Sequence, residues 1–194
     1  MITLDALRNI LDPAMAEILK LAYTPPKTIN VLTDIIDPAL AELEPHGIRS
    51  SPQARAMLYA IGMQESRLQH RFQIITGQFT RGPARGLWQF EAGGGVVGVL
   101  SHHSTQDRAQ LFARRFVGSI SRDAVWASLA YEDTLACIYA RLLLWTDPRA
   151  LPEPTLENEE AAWQYYIRNW RPGKPHRVTW SKFWCEAISK LATV

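Results

Sequence analysis

The chain has 194 residues, 47% of them hydrophobic, which suffices for one substantial core and for two domains only if both are small. No run approaches the roughly 18 consecutive apolar residues of a membrane-spanning helix, and the acids among residues 1–12 replace the basic start and apolar stretch of an export signal, so synthesis in the cytoplasm without export is expected. The net charge of +2 conceals an asymmetry: eight arginines between Arg67 and Arg122 face only Glu91 and Asp107, so the middle of the chain suits a carboxylate- or phosphate-bearing partner.

Residues 1–50 read as a helical extension of a core domain spanning 51–194. Asp12-Pro13-Ala14-Met15-Ala16-Glu17 recurs as Asp37-Pro38-Ala39-Leu40-Ala41-Glu42, each the pattern of a helix start with Asp as cap and Pro first. Thr24-Pro25-Pro26-Lys27 and Glu44-Pro45-His46-Gly47 punctuate the segment. It holds no cluster of catalytic residue types and is expected to pack on the core or on a partner.

A helix is predicted from Ser51 as N-cap and Pro52 as first residue, with an inward stripe of Ala54, Met57, Leu58, Ile61, Leu68 and Phe72. Glu65 falls on that stripe. Held against apolar neighbours, its carboxyl pKa should rise toward the range a general acid needs near neutral pH. The competing arrangement is an ion pair with Arg67 or Arg71.

Gln73 to Arg85 lacks helical periodicity and reads as a loop or short hairpin leading into Gly86-Leu87-Trp88-Gln89-Phe90-Glu91. The glycines that follow, Gly93, Gly94, Gly95 and Gly98, predict positive φ and a close backbone approach at a cleft floor or lip. No Gly-Lys-Ser/Thr follows, so this is not a phosphate loop. His102 and His103, with His70, His176 and Asp107, do not have metal-ligand spacing, and neither a metal nor another cofactor is expected. Gln106 to Arg122 is an arginine-rich helix with Leu111, Phe112 and Phe116 inward.

Val125 to Trp145 reads as one buried helix, in which Asp133 needs a partner such as Arg141. Cys137 lies within it, and with Cys185 the only other cysteine, buried free thiols are expected. Thr146-Asp147-Pro148 stops the helix, and Thr155 caps the next, which carries Trp163, Tyr166, Ile167 and Trp170 inward. The last helix, Trp180 to Leu191, reads as structural.

Gln64-Glu65-Ser66 followed by Gly86-Leu87-Trp88-Gln89 resembles the paired motifs of the lysozyme-like superfamily of soluble lytic transglycosylases and goose-type lysozymes, with Trp88 in place of the usual Met. The resemblance spans roughly Ser51 to His176. The family's third segment, Ala-Tyr-Asn, corresponds to Tyr165-Tyr166-Ile167-Arg168-Asn169-Trp170, where Tyr and Asn are not adjacent, so either Tyr166 or Asn169 takes its place. The resemblance implies a mainly α, lysozyme-like α+β domain cleaving the β-1,4 bond between N-acetylmuramic acid and N-acetylglucosamine of peptidoglycan. Glu65 would be the general acid. Ser66, Gly86, Leu87, Gln89 and Tyr166 or Asn169 would hold the glycan strand, with Trp88 as a stacking face. Goose-type lysozymes carry an acid two residues beyond this segment, where Glu91 stands here, as a second catalytic carboxylate. A cell-wall enzyme without an export signal is what a bacteriophage lysin or virion-associated enzyme would show. The alternatives are a virion or structural protein with an inactive site, favoured by the displaced third motif, and a nucleic-acid-binding protein, against which stands the lack of any helix-turn-helix, zinc or RNA-binding signature.

Overall fold

The computed structural model describes residues 29–74 and 82–193. The first Asp-Pro repeat and the Thr24–Lys27 break lie outside these residues. A wide π turn, Leu32–Ile36, runs directly into helix α1, Asp37–Leu43. Pro38 has no N–H to give to an α-helical bond, and the wide turn just before it is closed by the Asp37 N–H reaching the Leu32 carbonyl. Asp37 is therefore not the helix cap that the repeat suggested. Its carboxylate instead accepts both arms of the Arg55 fork, at 2.7 and 2.9 Å. The break at Glu44–His46 is a 3-10 turn ended by Gly47 in the left-handed region.

The helices that follow are α2 (Pro52–Ser66), α3 (Val97–Ser101), α4 (Gln106–Val117), α5 (Arg122–Ser128), α6 (Asp133–Trp145), α7 (Glu159–Trp170) and α8 (Arg177–Ala192). Among the described residues there are only isolated bridges, Phe72 to Arg85 and Arg85 to Phe90, in place of a sheet, and the fold is mainly α. α6 is the buried centre, with every residue from Leu135 to Leu144 inaccessible. α1 packs on α6, and α2 packs along α8. Leu32, Ile36, Leu40, Leu43 and Ile48 belong to the same hydrophobic cluster as α2, α6 and α8. Trp88, Trp180 and Trp184 are fully buried within it. Each contributes on the order of 2–3 kcal/mol of transfer free energy, conditional on its indole N–H finding an acceptor. All three do, on the carbonyls of Leu58, Glu159 and Thr155.

Several expectations change. The single helix from Val125 to Trp145 is two, broken at residues 129–132, and Asp133 stands in the first turn of α6, where a carboxylate complements the helix dipole. Asp133 is forked by Arg71 rather than Arg141. Arg141 is instead buried with its Nε unpartnered, its guanidinium 5.1 Å from the Trp145 ring centre, and burial pushes its pKa down to about 10. α4 ends at Val117, because Gly118 takes φ 72°. It buries Ala109, Phe112 and Ala113, while Leu111 faces solvent. The glycine-rich stretch is helical, a π turn over Ala92–Val96 leading into α3, and none of Gly93, Gly94, Gly95 and Gly98 has positive φ. Cys137 is a buried free thiol as expected, but Cys185 is exposed. Among the described residues no helix is long and apolar enough to cross a membrane.

Candidate active site

Ser51 caps α2, accepting the Ala54 N–H at 3.1 Å, and Pro52 opens the helix as its fixed φ favours. The helix stops at Ser66, so Leu68 and Phe72 do not extend its stripe. Arg67 and Leu68 both adopt left-handed φ, 60° and 52°, and reverse the chain so that the Leu68 N–H reaches the Gly62 carbonyl. The Leu68 side chain then lies over Gly62, where a Cβ would come within 2.2 Å of Leu68 Cδ2. Glu65 is thus left in the last turn of α2, half-buried, where two other segments converge on it.

The second segment is tied to the end of α2 by Ser66, whose Oγ donates to the Leu87 carbonyl at 2.6 Å. Gly86 has φ 75° and gives its N–H to the Arg71 carbonyl, while Gln89, at φ 51°, donates Nε2 to the carbonyls of Gly86 and His70 at 2.8 and 3.1 Å. Ser66, Leu87 and Trp88 are buried, which corrects their expected role as sugar contacts. Trp88 in particular offers no stacking face, because its ring is fully buried in the core beside Gly62. These residues and Gly86, which is also buried, join the two motifs; half-buried Gln89 remains as the candidate for touching a ligand. A Cβ on Gly86 would meet the Leu129 carbonyl at 2.6 Å. Gly86→Ala is accordingly expected to destabilise the protein by on the order of 3 kcal/mol, combining left-handed strain with a backbone clash. An unchanged urea midpoint would show that the segment can move aside.

The third segment comes from α7. Tyr166 donates its hydroxyl to Glu65 Oε1 at 2.6 Å. Its ring is stacked on Trp180 (centroids 5.1 Å apart, 10° between planes) and tilted against Trp163 at 5.4 Å. Trp170 ties α7 to the second motif through Nε1 to the Trp88 carbonyl at 3.1 Å. Asn169 does not reach the site: its Nδ2 is engaged by Asp147 and by the Tyr165 carbonyl. Of the two, Tyr166 is therefore the one that contacts Glu65. The first motif contains Gln64 without giving it a role; its amide accepts from Thr179 at 3.0 Å and donates to the His176 carbonyl at 3.1 Å, fixing the start of α8 beside the site. Nor did sequence patterning single out Trp180, which belonged to a helix read as structural yet backs the Tyr166 ring.

Burial raises the Glu65 pKa from 4.5 to about 7, opposed by the Tyr166 hydrogen bond and assisted by the negative charge of Glu91. Burial and the Glu65 charge together push the Tyr166 hydroxyl far above its ordinary value, so it remains a donor. Neither arginine competes for the acid. Arg67 donates to the carbonyls of Met63 and Gln64 and lies over the Phe183 ring, and Arg71 is held by Asp133. Glu91 is exposed and unpaired among the described residues; Arg85 is turned away to the carbonyls of Gly82 and Ala84 and to the rings of Phe72 and Trp126.

All four non-glycine residues with positive φ among the described residues, Arg67, Leu68, Gln89 and Arg171, sit where α2, the Gly86–Gln89 segment and α7 end around this acid. Such strain persists only where surrounding packing over-determines it. Among the described residues no group of three or more His, Cys, Asp and Glu side chains converges as a metal site. His102 and His103 contact each other edge to face, and His102 Nδ1 lies 2.9 Å from Ser104 Oγ. No family model matches the chain, and neither a curated protein nor a solved structure matches it.

Proposed function

We propose that the chain is a peptidoglycan muramidase that cleaves the β-1,4 bond between N-acetylmuramic acid and N-acetylglucosamine, with Glu65 as general acid. The observation that carries this reading is the Glu65–Tyr166 pair: a half-buried carboxyl with a pKa raised to about 7, oriented by a phenol at 2.6 Å, and paired with no arginine among the described residues. A structural carboxylate in a mainly helical domain is ordinarily neutralised by a cation, as Asp37, Asp133 and Asp147 are here. Glu65 has no such cation among the described residues; like Glu186, which takes the Tyr59 hydroxyl at 2.7 Å, it is bound by a phenol, and burial raises its pKa. The phenol donates to one oxygen and leaves the acid its proton near neutral pH.

In this mechanism Tyr166 holds Oε1, so the proton is delivered from the other carboxyl oxygen to the glycosidic oxygen as the bond to the anomeric carbon breaks. The anomeric centre then develops positive charge, which the Glu91 carboxylate and the newly ionised Glu65 stabilise. The Gln89 side chain, fixed against the His70 and Gly86 carbonyls, orients the sugar. The glycan strand is the partner, and no cofactor is required by this chemistry.

Zymography on purified cell walls, beside a salt-dependent DNA-binding assay, tests the reading. Clearing of the wall with no DNA binding is expected. A salt-sensitive DNA complex without clearing would transfer the function to the arginine-rich midsection, and neither activity would leave a lysozyme-like scaffold with an inactive site.

A further inference from the structure

Tyr131 is the most exposed aromatic side chain among the described residues, at 72%. The core does not require the Tyr131 ring, and its hydroxyl has no hydrogen-bond partner among the described residues. The ring is nevertheless held in place. Its edge-to-face contact with Phe72 has centroids 5.8 Å apart and planes at 71°. The turn that carries it is closed by the N–H groups of Tyr131 and Glu132 on the Ser128 carbonyl, both at 2.9 Å. Arg71 forks Asp133 just after the turn, and the Leu129 carbonyl just before it packs on Gly86. An exposed aromatic ring fixed this firmly is preorganised for contact with another molecule.

The surface it stands on is continuous with the Glu65 site. The His70 N–H binds the Ser66 carbonyl, the His70 carbonyl takes Gln89 Nε2, and the Arg71 carbonyl takes the Gly86 N–H. Residues 70–72, 89 and 131, none of them buried, thus form one strip leading away from the acid. It combines an open aromatic face with hydrogen-bonding groups of His70 and Gln89. A pyranose matches this pattern: its C–H face is apolar enough to cover an aromatic ring, and its rim of hydroxyl and acetamido groups needs polar partners.

We propose that Tyr131 is a stacking platform for a second pyranose ring of the glycan strand, extending the Glu65 site past Gln89. This rests on the muramidase reading and specifies that the site grips a polymer rather than a single disaccharide.

The test uses the full chain carrying Glu65→Gln, so that binding is read without turnover, with an N-acetylglucosamine hexasaccharide and purified sacculi as probes. Tyr131→Ala in that background is expected to weaken hexasaccharide binding on the order of tenfold, and Tyr131→Phe, which keeps the ring face, to leave it within about twofold. Melting temperatures should stay within about 2 °C, since the ring is mostly exposed. Equal binding by all three proteins overturns the platform and leaves the muramidase reading intact. A loss as large in the Phe variant as in the Ala variant also overturns it, because the hydroxyl rather than the ring face would then be the contact. Failure of the Tyr131-containing Glu65→Gln protein to bind either probe overturns the muramidase reading and the platform with it.

Discussion

Glu65→Gln is expected to abolish wall lysis and, in the same protein, to raise the melting temperature at alkaline pH. Glutamine fills the same space and can accept the Tyr166 hydroxyl, but it has no proton to donate, so the rate should fall by on the order of 10²–10⁴-fold. The stability change follows from the raised pKa of about 7 against 4.5 for the unperturbed group. Between these values the native state binds more protons than the unfolded one, so wild-type stability falls as pH rises through that window. At about 1.4 kcal/mol per unit, the charged carboxylate costs the native state on the order of 3 kcal/mol above pH 7.5. Glutamine does not titrate. The variant and wild type should therefore melt together near pH 4.5, and the variant should melt roughly 5–10 °C higher near pH 8. Calorimetry across this range checks it; a difference independent of pH would mean that Glu65 ionises as freely as an exposed carboxylate. Wild-type lysis should decline over the same alkaline limb, because only the protonated acid is competent.

Glu91→Gln is expected to slow release of wall fragments at least 10²-fold if water is the nucleophile, since the second carboxylate then acts as general base. Glu91 is exposed, has no side-chain partner among the described residues, and raises the Glu65 pKa by its charge. Inverting hydrolases keep the two carboxyl groups roughly 6.5–9.5 Å apart to admit a water, whereas a transglycosylase uses the 6-hydroxyl of muramic acid and needs no second carboxylate. An unaffected Glu91→Gln enzyme yielding 1,6-anhydro ends would assign the transglycosylase route. An unaffected enzyme yielding reducing ends would place the base elsewhere, though not at Asp133, which is held in the Arg71 fork.

What the sequence made legible was whatever a short local pattern encodes. Ser51-Pro52 set the start of α2, and the acid four residues beyond Ile61 indicated a carboxyl held against apolar surroundings. What it concealed depends on contacts between distant segments. The spread of apolar residues from Val125 to Trp145 gives no hint of a break, since neither Gly nor Pro interrupts it; the break is a tertiary matter, set by Arg71 capturing Asp133 and by Leu129 meeting Gly86. The glycines after Glu91 suggested positive φ, yet glycine is equally compatible with a helix once neighbouring packing supplies the stability. Trp88 carried an expectation of stacking because aromatic residues serve both sugars and cores, and only its complete burial and its bond to Leu58 separate the two. Tyr166 and Asn169 lie one turn apart at most, so choosing between them required knowing which face of α7 meets α2.

The central claim, that Glu65 drives cleavage of the glycan strand itself, is tested most directly by mass spectrometry of the soluble products from purified sacculi treated with wild-type and Glu65→Gln protein. Disaccharide-peptide fragments with newly formed muramic acid ends, reducing or 1,6-anhydro, released by wild type and absent with the variant, are the predicted result. Fragments whose glycan strands remain intact, or an equal yield from the variant, would contradict it.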